Sequence, residues 1–167
     1  MSGFDPAREP YLDRPLEGVQ LIEASAGTGK TYTLATLFTR LIVERGLRMG
    51  EVLAVTYTEA ATQELRKRIR ERLALAAELV GTAAHEDETH EAALTRVILA
   101  RHLARGEETP AQLARRLRTA AEETDLAAIF TIHGFCARVL REYALETGQG
   151  LQPVSYTHLT LPTICSV

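Results

Sequence analysis

The sequence predicts an α/β fold with a parallel sheet at its core, and three observations lead there. Short apolar runs alternate with segments of helical periodicity, a glycine-rich turn joins the first run to the first helix, and residues 81–125 hold helical patterns with no strand between them. Alternation of this kind builds strand–helix–strand units, in which crossover helices return the chain to lay the next strand parallel to the last.

The elements follow in order. After a polar opening that contains Pro6, Pro10 and Pro15, Val19-Gln20-Leu21-Ile22-Glu23-Ala24 is expected to be a short buried strand. A helix from about Lys30 to Glu44 should carry Leu34, Leu37, Leu41 and Ile42 on one side and end at Gly46. Val52–Thr56 is the second expected buried strand. The helix after it, about Glu59–Leu79, places Leu65, Ile69, Leu73 and Ala76 at helical spacing. Gly81–Glu88 suits a loop, and helices are expected at about Ala92–Ala104 and Ala111–Glu122. The latter starts with Thr109 as N-cap and Pro110 at its first position. These two helices form an insertion before the sheet resumes at Ala127–Ile132, and a last helix, Phe135–Glu146, is closed by Gly148. From Val154 onward no Asp, Glu, Lys or Arg occurs. This stretch is either a β-like segment or foreign sequence, and we favour foreign sequence over 154–167, which leaves residues 1–153 as the domain.

Composition narrows the class. The chain has 167 residues, 46% hydrophobic and 25% charged, which fits one globular domain. A net charge of -3 gives no general attraction for polyanions, so contact with nucleic acid has to come from local patches. There is no apolar run of membrane-spanning length and no secretory or basic transit sequence. Cys136 and Cys165 stand in unrelated contexts, which argues against a disulfide framework or zinc cluster. The expectation is a cytoplasmic, reduced protein without a membrane partner.

The strongest chemical signal is Ala24-Ser25-Ala26-Gly27-Thr28-Gly29-Lys30-Thr31. It fits the phosphate-binding P-loop pattern, with Ala24 where the first glycine usually stands. Gly27 and Gly29 let successive N–H groups turn toward phosphate oxygens, and the following helix brings the positive end of its dipole. Lys30 would reach the β- and γ-phosphates, and the Thr31 hydroxyl would ligate Mg²⁺. Two later segments, Thr56-Tyr57-Thr58-Glu59-Ala60-Ala61-Thr62 and Thr131-Ile132-His133-Gly134-Phe135-Cys136, also run from a strand end into a helix. Strand C-terminal ends face the ligand crevice of such sheets. Threonine hydroxyls and a histidine there suit phosphate contacts, and Tyr57 offers a face on which a base can stack.

Taken together, LIEASAGTGKTYTL, VLAVTYTEAATQELRKRI and FTIHGFC resemble three ordered motifs of the UvrD/Rep-type superfamily-one DNA helicases. EASAGTGKT, TEAAT and TIHGFC are most similar to the RecB-type branch, the beta subunits of exodeoxyribonuclease V. The resemblance runs from about Phe4 to Pro153 and is weakest across 81–125. It implies a RecA-like P-loop core, the first part of motor domain 1A, carrying a helical insertion. It also implies an ATP-driven 3′-to-5′ translocase that works on single-stranded DNA and duplex ends beside RecC-like and RecD-like subunits. Residue by residue, Ala24, Ser25, Ala26, Gly27, Thr28, Gly29, Lys30 and Thr31 would bind ATP and Mg²⁺. Thr56, Tyr57, Thr58, Thr131 and His133 would touch DNA, with Tyr57 standing where the family usually has Phe. No Gln precedes Gln20, so the family's adenine contact is unassigned.

The family's acidic Mg²⁺-binding strand and its arginine-bearing second domain have no counterpart in the sequence, so catalytic residues are left unnamed and the chain is read as a truncated, inactive product. Rival readings are another UvrD/Rep-like helicase, a different P-loop enzyme such as a nucleotide kinase, or a protein that binds nucleotide without turnover. Arg66, Lys67, Arg68, Arg70 and Arg72 are read as a solvated helix face rather than a DNA stripe, because Glu64 and Glu71 interrupt them. His85 and His90, which flank Glu86-Asp87-Glu88, are read as a solvated loop rather than a metal site. Cys136 is expected to be a small buried residue.

Overall fold

Leu65, Ile69, Leu73 and Ala76 recur every three or four positions along helix α2 (Glu59–Leu79), and each is buried to 3% exposure or less. The structure, a computed structural model, describes residues 9, 11–23, 29–85 and 87–143. In it α2 packs against α1 (Lys30–Arg45), α3 (His90–Leu103), α4 (Pro110–Glu122) and both strands of a small sheet. Those strands, β1 (Leu53–Thr56) and β2 (Ala128–Thr131), are parallel and paired in register from Leu53 with Ala128 to Thr56 with Thr131. The fold is therefore mixed α/β, with a two-stranded parallel sheet among the described residues. Residues up to Thr131 form one compact unit, and α5 (Ile132–Glu142) belongs to a second.

Three helix ends are where the sequence places them. Gly46 closes α1 in the left-handed region at φ 67°. Thr58 caps α2 by accepting the Ala61 N–H at 3.1 Å. Thr109 and Gln112 form a reciprocal capping box in front of α4, with Pro110 as the first helical residue. Helix α3 begins two residues earlier than expected because Thr89 accepts the Ala92 N–H, and α5 begins at Ile132 rather than Phe135. The expected end of α5 near Gly148, and the uncharged stretch from 154, lie outside the described residues.

Several expectations need correction. Val19–Glu23 is not a strand: Val19 is fully exposed and Leu21 is 79% exposed. A strand needs a neighbour for its N–H and C=O groups, and here the chain instead turns at Gly18 (φ 72°) while the Gln20 amide donates to the carbonyls of Pro15 and Glu17. β1 is not a buried strand either. Leu53 and Val55 lie half-exposed because a two-stranded sheet leaves one face uncovered, and they border an apolar groove with Leu34, Leu37 and Leu41 of α1. The main buried stripe of α1 is accordingly Ala35, Phe38, Thr39, Ile42 and Val43. Cys136 is exposed, since no residue of α5 is buried.

Two arginine networks bind the periphery to this core. The buried Arg40 guanidinium forks onto Glu44 at 2.6 and 2.9 Å and donates to the Tyr11 and Arg14 carbonyls at 2.6 and 2.8 Å. It thereby holds the opening segment, with Leu12 in the core, against α1. Arg116 forks onto Glu108 at 3.1 and 2.6 Å and donates to the Ile42 and Val43 carbonyls near the end of α1, where a cation also complements the helix dipole. His102 Nε2 meets the same Glu108 carboxylate at 3.0 Å. The hydrogen bond from Arg116, against the opposing effect of burial, holds the Glu108 carboxyl below the ordinary carboxylate range, and His102 pulls in the same direction.

A group whose folded-state pKa is depressed stabilises above its unfolded pKa and ceases to as pH falls through its folded value. Glu108→Gln should therefore cost about 1–2 kcal/mol at neutral pH. The deficit, followed by urea unfolding at a series of pH values, should shrink on acidification below the ordinary carboxylate range. A deficit independent of pH would assign Glu108 a packing role instead.

Candidate functional site

The first turn of α1 leaves backbone donors at the positive end of a helix. Gly29 caps the helix with φ 80° and ψ 28°, a left-handed conformation that a side chain resists. Thr33 N–H is the first to bond back, to the Gly29 carbonyl at 2.8 Å. The N–H groups of Lys30, Thr31 and Tyr32 thus precede the helix's own ladder. No acidic residue occupies the first turn, so the positive end of a 16-residue helix is left uncompensated. Gly29, Lys30, Thr31 and Tyr32 line a cavity of about 440 Å³. Ala24, Ser25, Ala26, Gly27 and Thr28 lie outside the described residues.

The far wall of the cavity was not legible as a site. Glu64, Arg68 and Arg72 come from α2, and Glu91 comes from the first turn of α3. Arg72 is buried at 1% exposure, its Nε donates to Glu91 at 2.5 Å, and its guanidinium lies 4.8 Å from the centre of the Tyr32 ring. The Tyr32 hydroxyl meets His90 Nδ1 at 3.2 Å, and His90 Nε2 lies 2.6 Å from Glu9. Burial raises the Tyr32 phenol above its ordinary range, with Arg72 pulling the other way.

The basic run on α2 is not one face. Consecutive helical residues are turned by about 100°, so five cations within seven positions encircle the axis. Arg72 points inward, Arg66 donates to the Ile129 carbonyl at 3.1 Å, and Arg70 pairs with Asp125 at 2.5 Å. Lys67 and Arg68 stay exposed near Glu71. His90 is an α3 residue rather than part of the loop. Among the described residues no group of three His, Cys, Asp or Glu side chains is arranged to hold a metal ion.

The strand ends gather the second set of residues. Register places Thr56 beside Thr131 at the C-terminal edge of the sheet. The Thr56 hydroxyl lies 2.6 Å from that of Thr62 and donates to the Thr58 carbonyl at 3.2 Å, while Thr58 caps α2. Tyr57, between them, projects with 87% of its surface exposed. Thr131 is buried, and His133 is exposed in the first turn of α5, within the second unit. Thr56 and Thr58 thus have local structural tasks, and Tyr57 presents most of its surface to solvent.

Comparison with known proteins gives the same direction at sequence level. The family described as the UvrD/REP helicase N-terminal domain matches residues 8–160. The RecBCD enzyme subunit RecB of Haemophilus influenzae is 41% identical over 145 residues, which are 80% of this chain and 11% of that protein. The subunit of the same name from Escherichia coli K12 is 41% identical over 150 residues, covering 82% and 11%. That from Mycobacterium tuberculosis H37Rv is 41% identical over 130 residues, covering 76% and 11%. The chain therefore spans about a tenth of the length of the curated relatives it matches.

Gly29→Ala tests the turn that presents Lys30. The added Cβ would meet the Tyr32 Cβ at an ordinary 3.7 Å, so the cost is conformational rather than steric. Stability should fall by about 1–2 kcal/mol in denaturant unfolding. An unchanged midpoint would mean that the turn relaxes out of the left-handed region freely.

Proposed function

The chain belongs to the UvrD/REP helicase N-terminal domain family and is RecB-like in sequence, and from that premise we propose that it forms the ATP-binding part of a RecA-like DNA motor. The observation that carries the proposal is the open first turn of α1, where three N–H groups without a place in the helix ladder and Lys30 border one cavity. Such a turn supplies directed donors, a helix dipole and a mobile ammonium, the set that polyphosphate requires. Thr31 lines the same cavity and is the proposed Mg²⁺ ligand. The bound ion would neutralise phosphate charge, and this chain's residues would hold the phosphates in place.

In the whole protein we assign this part to an ATP-dependent 3′-to-5′ translocase of a helicase–nuclease acting on duplex DNA ends in recombinational repair. RecC-like and RecD-like partners are proposed because the relatives carry the name of a RecBCD subunit. The cytoplasm is the proposed location, in line with the absence, among the described residues, of a helix long and apolar enough to cross a membrane. Single-stranded DNA would pass the strand-end edge, stacking on Tyr57 with Thr56, Thr58, Thr131 and His133 as polar contacts. The 167-residue polypeptide itself is proposed to cradle ATP without turnover, since its sequence offers no Asp-Glu pair on an apolar strand.

Two measurements test these assignments. A fluorescent ATP analogue titrated into the full chain should bind, and Lys30→Ala should remove the signal; equal binding by both proteins would refute the nucleotide site. For DNA, base stacking on an aromatic ring contributes about 1–3 kcal/mol. Tyr57→Ala should then weaken affinity for a single-stranded oligonucleotide about fivefold or more, while Tyr57→Phe leaves it nearly unchanged. Wild-type affinity in the alanine variant would remove Tyr57 from the DNA path.

A further inference from the structure

Arg72 is the largest fully buried side chain among the described residues, and its hydrogen bonding is incomplete. Arg40 and Arg116 show what completion looks like, whereas Arg66, which donates to the Ile129 carbonyl, also leaves its Nε unpartnered among the described residues. Arg40 engages both oxygens of Glu44 and two backbone carbonyls, and Arg116 does the same with Glu108 and the end of α1. Arg72 instead gives Nε alone to Glu91, rests its plane near the Tyr32 ring, and leaves Nη1 buried without any partner. An arginine placed only to tie α2 to α3 would turn its fork onto the carboxylate, since two parallel bonds fix such a pair best. The orphaned nitrogen belongs to a side chain that lines the Lys30 cavity. Arg66 Nε and His102 Nδ1 are likewise unpartnered among the described residues, but of the three only Arg72 belongs to the lining of this cavity, where a ligand can supply the missing acceptor.

We propose that Arg72 is a second cationic ligand for polyphosphate in the Lys30 cavity, donating from Nη1 to a phosphate oxygen, with Glu91 and Tyr32 as the residues that position it. This rests on the reading that the cavity binds nucleotide phosphates. The ligand chemistry is that of a chain of phosphates, whose charge Lys30 meets from the helix terminus and Arg72 meets from α2. Glu91 fixes the guanidinium through Nε and leaves the other side of the fork available. Tyr32 borders it with the face of its ring, and His90 and Glu9 in turn hold the Tyr32 hydroxyl. Arg68 adds exposed positive charge at the cavity, partly offset by Glu64.

Inorganic tripolyphosphate is the probe, because it carries the phosphates without the base. Its binding to the full chain, measured by calorimetry and by displacement of a fluorescent ATP analogue, should disappear in Lys30→Ala. In Arg72→Lys and Arg72→Gln it should weaken about tenfold or more, the loss expected for a charge-assisted bond. Loss in Lys30→Ala with wild-type affinity in both Arg72 variants would overturn the role of Arg72 and leave the nucleotide reading intact. Wild-type affinity in Lys30→Ala would overturn that reading, and this proposal with it. A second measurement needs no variant at Arg72. In arginine-¹⁵N-labelled wild-type protein, the Arg72 guanidinium is identified by the ring-current shift of the neighbouring Tyr32. Its Nη signals should move and exchange more slowly when tripolyphosphate is added, and should not respond in Lys30→Ala. A guanidinium spectrum unchanged at saturation would overturn the proposal even if the Arg72 variants fail to fold.

Discussion

The buried stripe of α2 is the constraint from which the rest of the larger unit follows. Leu65, Ile69, Leu73 and Ala76 take the core side of one helix, and α1, α3, α4 and both strands all find their apolar partners there. Burying a leucine or isoleucine side chain is worth about 1.5–3 kcal/mol, so three of them along one line supply a large share of what holds a small domain together. Because α2 is 21 residues long, it also spans the distance between the sheet edge and the cavity at the start of α1. Its N-cap, Thr58, stands at the sheet edge beside Tyr57, and its middle turns carry Glu64, Arg68 and Arg72 to the cavity at the start of α1. A rotation of α2 about its axis would therefore disturb the core and the far wall of this cavity together.

Charge is arranged around that core in a consistent way. Two arginines lie at joints: the buried Arg40 between the opening segment and α1, and the half-buried Arg116 between α4, Glu108 and the end of α1. Removing one partner of such a pair leaves the other desolvated, so substitution at a joint is expected to cost more than at an exposed pair. The exposed pairs on α2, such as Lys67 with Glu71, contribute little by comparison.

Much of this was legible in the sequence wherever a local rule governs the outcome. The limits of α2, the Thr109–Pro110 start of α4 and the Gly46 end of α1 follow from capping chemistry acting over four residues. The place of Lys30 and Thr31 in the first turn of α1, bordering a cavity, was legible because a glycine turn ahead of the periodic pattern marks the helix start. What escaped depends on partners distant in sequence. Val19–Glu23 has the composition of a strand, but composition supplies no neighbour for its backbone. Arg72 looks like its neighbours in a charged run, and only the approach of Glu91 and Tyr32 makes it a buried group. Cys136 lies on an amphipathic helix with no buried residue, which the pattern alone could not show. In each case the missing information was a contact between separate elements.

The uncovered side of β1 has a practical consequence for handling the polypeptide. Among the described residues β1 hydrogen-bonds a strand on only one edge, and Leu53 and Val55 meet Leu34, Leu37 and Leu41 across an open apolar groove of about 310 Å³. An unprotected edge beside greasy side chains is a template for another molecule's backbone. With a net charge of only -3 there is little long-range repulsion to keep copies apart. A charged substitution at Leu53 or Val55 is therefore the rational means of removing the apolar edge that the described residues present.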